Sequence, residues 1–260
     1  AAPTRERSLV VDIDGDLTEL PELIGQPQPD LILLNDDDLT YAKIRFDARS
    51  MATLVEHMAS LESALSRALA WGASWDMCRD AEVPAADFVA LALGGVGSET
   101  DLTAVGAVLA QARTAIDFYT PRPARDELNE QFTRGLAKLL KEAEPGSDHQ
   151  LAFARALIAA AESAGAVELI RAWLGGEEAP AGLAVDTDLR WLIITQLARR
   201  GAIGEAEIAA EAARDATAAG AERAAGARAA LPTAEAKQWA WRQATAEPAV
   251  PNETHFQVCN

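Results

Sequence analysis

Cysteine, aromatic residues and long apolar runs are scarce in this 260-residue sequence. Its two cysteines, Cys78 and Cys259, are too few for a disulfide framework, and free thiols favour a cytoplasmic location. A membrane-spanning helix needs about 18 or more consecutive apolar residues, and no such run occurs. The sequence therefore predicts a protein without a membrane partner.

Positive charge is also in short supply. The chain has 23 lysines and arginines against 40 aspartates and glutamates, which gives a formal net charge of -17. An acidic surface repels the phosphate backbone of nucleic acids unless a local basic patch overcomes the repulsion, and the sequence contains no such cluster. Nucleic acids are therefore excluded as expected partners.

The motifs of common catalytic sites are absent as well. The three histidines, His57, His149 and His255, lie far apart in sequence, and Glu56-His57 lacks the second histidine of an H-E-x-x-H zinc site. Neither a G-x-S-x-G nucleophile turn nor a glycine-lysine phosphate loop occurs. The motifs alone therefore assign no catalytic residue and no metal ligand.

Alanine, in contrast, is abundant, and its distribution divides the chain. Of 57 alanines, only two precede residue 42. Because alanine has the highest helix propensity, the alanine-rich part is expected to be helical. The alanine-poor part alternates apolar and polar residues over 8–20 and 41–46, with a turn dipeptide at Asp14-Gly15, which favours four short β-strands. Residues 1–47 are therefore predicted to belong to a truncated β-sandwich domain.

Residues 48–260 show the apolar periodicity of α-helices. Ser50 and Ser60 are the expected N-caps of the first two helices, and prolines or glycines separate the later ones. About a dozen helices of roughly 9 to 20 residues with short connections are typical of stacked antiparallel pairs. The predicted fold is mainly α: an irregular helix-repeat α-solenoid over residues 48–260, preceded by the truncated β-sandwich.

One helix start combines charges in an unusual way. Asp186 or Thr187 is the expected N-cap, and Arg190 follows within the first turns. Two interpretations of this arginine are open: it pairs with a nearby acid as part of the helix structure, or it faces an open surface and binds a carboxylate. The second interpretation makes Arg190 the candidate substrate-binding residue, because its forked donors suit carboxylates.

Five strings in the chain resemble a known family, the zinc aminopeptidases of the aminopeptidase N type, in their actinobacterial branch. The strings are ELPELIGQPQPD at 19–30, LILLNDDDLTYAKIRFD at 31–47, RALAWGASWDMCRDAEVPAADFVAL at 67–91, VDTDLRWLIITQLARRGAI at 185–203 and LPTAEAKQWAW at 231–241. They are long and occur in order along the chain. The resemblance covers essentially all of the sequence and places it in the C-terminal portion of such an enzyme.

The resemblance implies a division of labour within a longer polypeptide. Residues 1–47 would be the last strands of the family's β-sandwich domain, and residues 48–260 most of its helical C-terminal domain. The family's zinc ligands and its G-x-M-E-N motif lie upstream and do not occur here, so the implied zinc belongs to the parent enzyme and none to this piece. The implied role is a non-catalytic domain, inactive alone, that covers the catalytic domain and shapes the access of peptide substrates. The alternative is a stand-alone helical-repeat scaffold that binds a protein or a peptide.

Overall fold

The computed structural model describes residues 4–245 and 250–260, and within these residues the fold is mainly α. The described residues form twelve α-helices and three short 3-10 helices, and they contain no β-strand. The chain divides into two compact units, Ala1–Pro121 (unit 1) and Arg122–Asn260 (unit 2). The predicted mainly-α class is confirmed, and the α-solenoid arrangement stays a prediction.

Unit 1 contains four α-helices, each of which begins where a polar side chain or a proline can end the preceding loop. The Asp47 side chain accepts hydrogen bonds from the amides of Arg49 and Ser50, and the Asp101 side chain accepts one from the amide of Thr103. The core of the unit forms where α3 packs against α1, α2 and α4. The helices are α1 Ala48–His57, α2 Ala64–Arg79, α3 Ala85–Gly95 and α4 Leu102–Tyr119.

Unit 2 contains the other eight helices. Large buried side chains from α5, α6 and α7 form one part of its core, among them Phe132, Phe153 and Trp173. Helix α10 packs against α8, α9, α11 and α12. The helices are α5 Arg122–Glu142, α6 Asp148–Ala160, α7 Ala164–Leu174, α8 Thr187–Arg199, α9 Glu205–Arg214, α10 Ala218–Ala230, α11 Ala234–Thr245 and α12 Asn252–Cys259.

Small side chains let α10 and α12 approach each other closely. Ala227 and Ala229 of α10 are buried, and a Cβ on Gly226 would lie only 3.1 Å from the backbone oxygen of Gln257. The alanine-rich composition of this part of the chain therefore acts through packing distance as well as through helix propensity.

The four strands predicted before residue 47 are not formed in the described residues 4–47. This segment contains one 3-10 turn, Pro21–Leu23, and otherwise irregular backbone. Val10 and Ile13, which the alternation places on opposite faces of a strand, are 97% and 81% exposed. An alternating pattern shows which side chains would share a face, but a strand also needs a neighbour to bond its backbone groups. The assignment of residues 1–47 to a β-sandwich is therefore not confirmed, and its residues 1–3 lie outside the described residues.

Residues 30–47 instead lie along the first two helices. The amide of Ile32 donates to the Ser50 hydroxyl at 2.9 Å, and the Ser66 hydroxyl donates to Asp36 at 2.6 Å. Lys43 pairs with Asp80 at 2.6 Å at the end of α2. Side chains of α1, of α2 and of the residue that follows α2 therefore hold this segment against the first two helices of unit 1.

The two cysteines have opposite environments. Cys78 lies on α2 and is 2% exposed, whereas Cys259 at the end of α12 is exposed, and neither is in a disulfide. Burial raises the pKa of the Cys78 thiol to about 11, because the charged thiolate is poorly solvated there. Among the helices that the structure describes, none is both long and apolar enough to cross a membrane.

Candidate functional site

The candidate residue Arg190 lies in the first turns of α8, where the sequence places it beside core residues. The side chain of Asp186 caps the helix by accepting a hydrogen bond from the amide of Leu189 at 2.9 Å, as predicted. Leu189 and Trp191, the two neighbours of Arg190, are buried at 0% and 2% exposure. The Arg190 side chain is itself only 14% exposed, so its charge needs partners within the fold.

Glu211 of α9 provides the main partner of Arg190. Nε of Arg190 donates to Oε1 of Glu211 at 2.7 Å, and Nη2 donates to Oε2 at 2.6 Å. Nη1 donates to the backbone oxygen of Leu174, at the end of α7, at 3.0 Å. The hydrogen bonds to Glu211 raise the pKa of Arg190, which keeps the guanidinium charged. One side chain therefore joins three helices of unit 2.

A second set of charges surrounds this pair. The indole Nε1 of Trp191 donates to Oδ2 of Asp215 at 2.8 Å, and Arg223 of α10 pairs with Asp188 at 2.7 Å. Hydrogen bonds from Thr217 and then from Trp191 lower the pKa of Asp215. The acids at the start of α8 and the end of α9 are thus compensated by arginines and by neutral donors.

The structure therefore shows Arg190 paired with an acid of the same fold, which was the first of its two interpretations. The guanidinium donors of Arg190 are taken by Glu211, which lies 21 residues away in sequence. The carboxylate of a substrate would have to compete with Glu211 for the same donors. Substrate binding by Arg190 stays a prediction.

Unit 1 contains a similar pair that sequence reasoning missed. Arg67 of α2 donates to both carboxylate oxygens of Glu99 at 3.0 Å, and its Nη1 donates to the backbone oxygen of Leu61 at 2.8 Å. Trp71 adds a hydrogen bond to Glu99 at 3.3 Å. The bond from Arg67 is the largest cause that lowers the pKa of Glu99 to about 2. No local motif links the pair, because the two residues are 32 positions apart.

The histidines and acids of the described residues do not converge on a metal site. Among residues 4–245 and 250–260, no group of three or more histidine, cysteine, aspartate or glutamate side chains is placed to bind a metal ion. His57 contacts Glu56 at 3.8 Å, His149 lies 5.9 Å from the ring of Phe153, and His255 contacts the backbone oxygen of Ala244 at 3.1 Å. The three histidines lie on different helices, and these described residues do not fit a zinc ion.

Comparisons with known proteins agree with the strings that carry the resemblance. The family model described as the ERAP1-like C-terminal domain matches residues 31–260. Aminopeptidase N of Streptomyces lividans is 46% identical over 248 residues, which cover 95% of this chain. The chain spans only 29% of the length of that relative, and the match is a C-terminal portion. The protein thus belongs to the ERAP1-like C-terminal domain family and is the C-terminal domain of an aminopeptidase N-like protein.

Proposed function

We propose that this chain is the non-catalytic C-terminal part of a zinc-dependent aminopeptidase that removes N-terminal residues from peptides. The observation that carries the proposal is the 46% identity to Aminopeptidase N over 95% of the chain. The family match to residues 31–260 supports the same assignment. Both favour it over the alternative of a stand-alone helical-repeat scaffold that binds a protein or a peptide.

In this proposal the zinc and the catalytic residues lie elsewhere in a longer polypeptide. The support is that the described residues of this chain provide no group of metal-binding side chains, while the relative is several times longer than the matched part. The catalytic domain of the same polypeptide is then the principal partner of this chain. The chain itself contributes no chemical step, and alone it is expected to be inactive.

The proposed role of the domain is to cover the catalytic domain and to shape the access of peptide substrates. The excess of acidic residues, 40 against 23 basic ones, supports this role, because a negative surface attracts the positively charged amino terminus that an aminopeptidase must accept. We place the domain boundary at residues 47 and 48, where α1 begins. The two unpaired cysteines support a cytoplasmic location.

A hydrolysis assay tests the catalytic part of the proposal. The 260-residue chain and a longer polypeptide that includes the upstream region are each incubated with an aminoacyl-anilide, with and without a chelator. We expect hydrolysis only by the longer polypeptide, and we expect the chelator to stop it. Hydrolysis by the 260-residue chain in chelator, or an inactive longer polypeptide that is folded and supplied with zinc, would contradict the proposal.

A substitution at Arg190 tests its proposed contact with substrate. In the longer polypeptide, Arg190→Gln would raise KM for a peptide with a free C-terminal carboxylate and leave KM for the same peptide amide unchanged. The substitution lowers the melting temperature in either case, because it breaks the pair with Glu211, but a purely structural role would change KM for both peptides alike. Arg134→Gln is the control, because Arg134 is 64% exposed and its 3.4 Å pair with Glu130 lies on the surface.

A further inference from the structure

Unit 2 contains a cavity that the proposed function does not use. Its volume is about 390 Å³, which falls within the range of small-molecule sites, and it lies between α5, α6, α7 and the loop that follows α7. Ala137, Leu169 and Pro180 contribute partly exposed apolar walls, whereas Leu140, Leu157 and Trp173 also line the cavity but are almost fully covered by the rest of the fold. Such walls suit an aliphatic or aromatic group of a ligand.

Two loops close one side of this cavity, and a buried glutamine fixes both. Gln150 is 3% exposed; its Oε1 accepts from the amide of Gly146 at 2.8 Å, and its Nε2 donates to the backbone oxygen of Ala181 at 2.9 Å. Gly182 has a φ of +84°, and a Cβ there would lie 2.5 Å from the nitrogen of Gly146. The walls are therefore held in place before any ligand binds, which reduces the entropy cost of binding.

Two opposite charges line the same cavity. Lys141 lies at the end of α5 and Glu178 lies in the loop after α7, and both side chains are exposed. Neither forms an ion pair in the part of the chain that the structure describes, and they are not paired with each other. Glu178 adopts a φ of +57°, a left-handed conformation that is uncommon for a glutamate. The cavity thus presents an available cation and an available anion beside apolar walls.

We propose that this cavity binds a free α-amino acid with an apolar side chain. Lys141 binds the carboxylate, Glu178 binds the ammonium group, and Leu169 and Pro180 contact the side chain. This ligand carries both charges, so it can contact both residues, whereas a simple acid or amine can contact only one of them. Apolar amino acids are also a product class of the proposed peptide hydrolysis; this link to a product, unlike the binding itself, rests on the proposed function.

Calorimetric titration of the 260-residue chain with leucine tests the binding without any need for activity. We expect saturable binding with a Kd on the order of 1 mM, as suits a ligand of so few atoms. Three probes test the recognition on the unaltered chain: leucinamide lacks the carboxylate, isocaproate lacks the ammonium group, and glycine lacks the side chain. Each should bind at least about fivefold more weakly than leucine.

Charge substitutions with matched controls assign the binding to this cavity. Lys141→Gln and Glu178→Gln should each weaken leucine binding about fivefold, and Lys141→Gln should leave leucinamide binding unchanged. Lys138→Gln on the same helix and Glu177→Gln in the same loop are controls, because neither residue lines the cavity. All four side chains are exposed, so folding is expected to persist and is checked by circular dichroism.

The outcomes separate this proposal from the proposed enzyme function. Absence of saturable leucine binding, equal binding of glycine and leucine, or equal losses in the control variants would overturn the cavity proposal. None of these results bears on peptide hydrolysis by the longer polypeptide. In turn, a longer polypeptide without peptidase activity would leave the cavity and its ligand class standing and remove only the link to a product.

Discussion

Arg67 and Arg190 lose most of their hydration when they are buried. In its place, each guanidinium donates hydrogen bonds to both oxygens of a carboxylate and to a backbone carbonyl oxygen. Removing a buried ion from water costs several kcal/mol, and a well-paired partner roughly offsets this cost. Such a pair adds little net stability, but removal of one member costs about 3 to 5 kcal/mol. We therefore expect the two pairs to act mainly by specifying which helices meet, because an arrangement that separated either pair would leave a buried charge without its partner.

The first prediction concerns Glu99. Glu99→Gln should lower the free energy of unfolding by about 3 kcal/mol at neutral pH, because Arg67 stays buried without its counter-charge. In the unaltered chain the pKa of Glu99 is about 2 in the folded state against 4.5 ordinarily. Its contribution is therefore complete above pH 4.5 and is lost as the pH falls from 4.5 toward 2, whereas the variant lacks this dependence.

Urea unfolding at neutral and acidic pH measures both effects. The control is Glu130→Gln, which removes a surface carboxylate 3.4 Å from Arg134 and should change stability by less than about 0.5 kcal/mol. If Glu99→Gln were as mild as this control at neutral pH, the buried pair would not have the role assigned to it.

At the scale of helices, two glycines, one inside α4 and one in the first turn of α10, lead to opposite expectations. A Cβ on Gly106 of α4 would meet nothing within 4 Å. A Cβ on Gly220, in the first turn of α10, would overlap the backbone oxygen of Asp215 and lie 2.6 Å from its Cγ. Helix propensity favours alanine at both sites by up to about 1 kcal/mol, but overpacking costs about 1 to 3 kcal/mol. Packing therefore decides the sign at Gly220.

The second prediction is that Gly106→Ala stabilises the chain and Gly220→Ala destabilises it. We expect a gain of about 0.5 to 1 kcal/mol for the first and a loss of about 2 kcal/mol for the second. Each variant serves as the control of the other in thermal and chemical unfolding. Equal effects of the same sign would mean that propensity alone governs these helices and that the close approach near Asp215 does not occur.

Helix ends show how far the sequence determines the elements. The cap at Asp186 was predictable because a short acceptor precedes an apolar periodic run. Ser50, in contrast, was predicted as a cap, but Asp47 takes that place and α1 begins three residues earlier. The Ser50 hydroxyl instead accepts a hydrogen bond from the amide of Ile32. α2 is capped by Ser63 rather than Ser60, so a choice between nearby serines depends on tertiary contacts that a local pattern lacks.

The same limit applies to the site and to the first segment. The sequence indicated Arg190 as unusual, but its partner lies on another helix and only the fold identifies it as Glu211. The alternation before residue 47 predicted strands, yet a strand requires a partner that the pattern cannot supply. Family membership, in contrast, could be predicted from five strings because it depends on residue identity and not on geometry.

At the scale of the whole molecule, the dominant property is the net charge of -17. Salt bridges such as the 3.9 Å pair of Lys138 and Glu142 neutralise some carboxylates, but 23 basic residues cannot neutralise 40 acidic ones. The remaining negative charges repel each other in the compact state more than in the unfolded chain. Screening should therefore favour the folded state.

The third prediction is that the melting temperature rises with salt. Between about 0.01 M and 0.15 M sodium chloride the Debye length falls from about 30 Å to about 8 Å, which weakens repulsion among the exposed carboxylates. Circular dichroism during heating measures the change, and choline chloride at the same ionic strength controls for specific binding of sodium. A melting temperature that falls with both salts would show that surface ion pairs outweigh the repulsion.

The contrast between the two thiols means that the chain can be labelled chemically at one cysteine, Cys259. An alkylating reagent needs the thiolate, and the raised pKa and burial of Cys78 withhold it from solvent at neutral pH. A fluorescent or spin label supplied as a maleimide would therefore attach to Cys259 without any substitution in the chain. Because Cys259 lies on α12, which packs against α10 and α11, such a label would report on the stability of that end of unit 2.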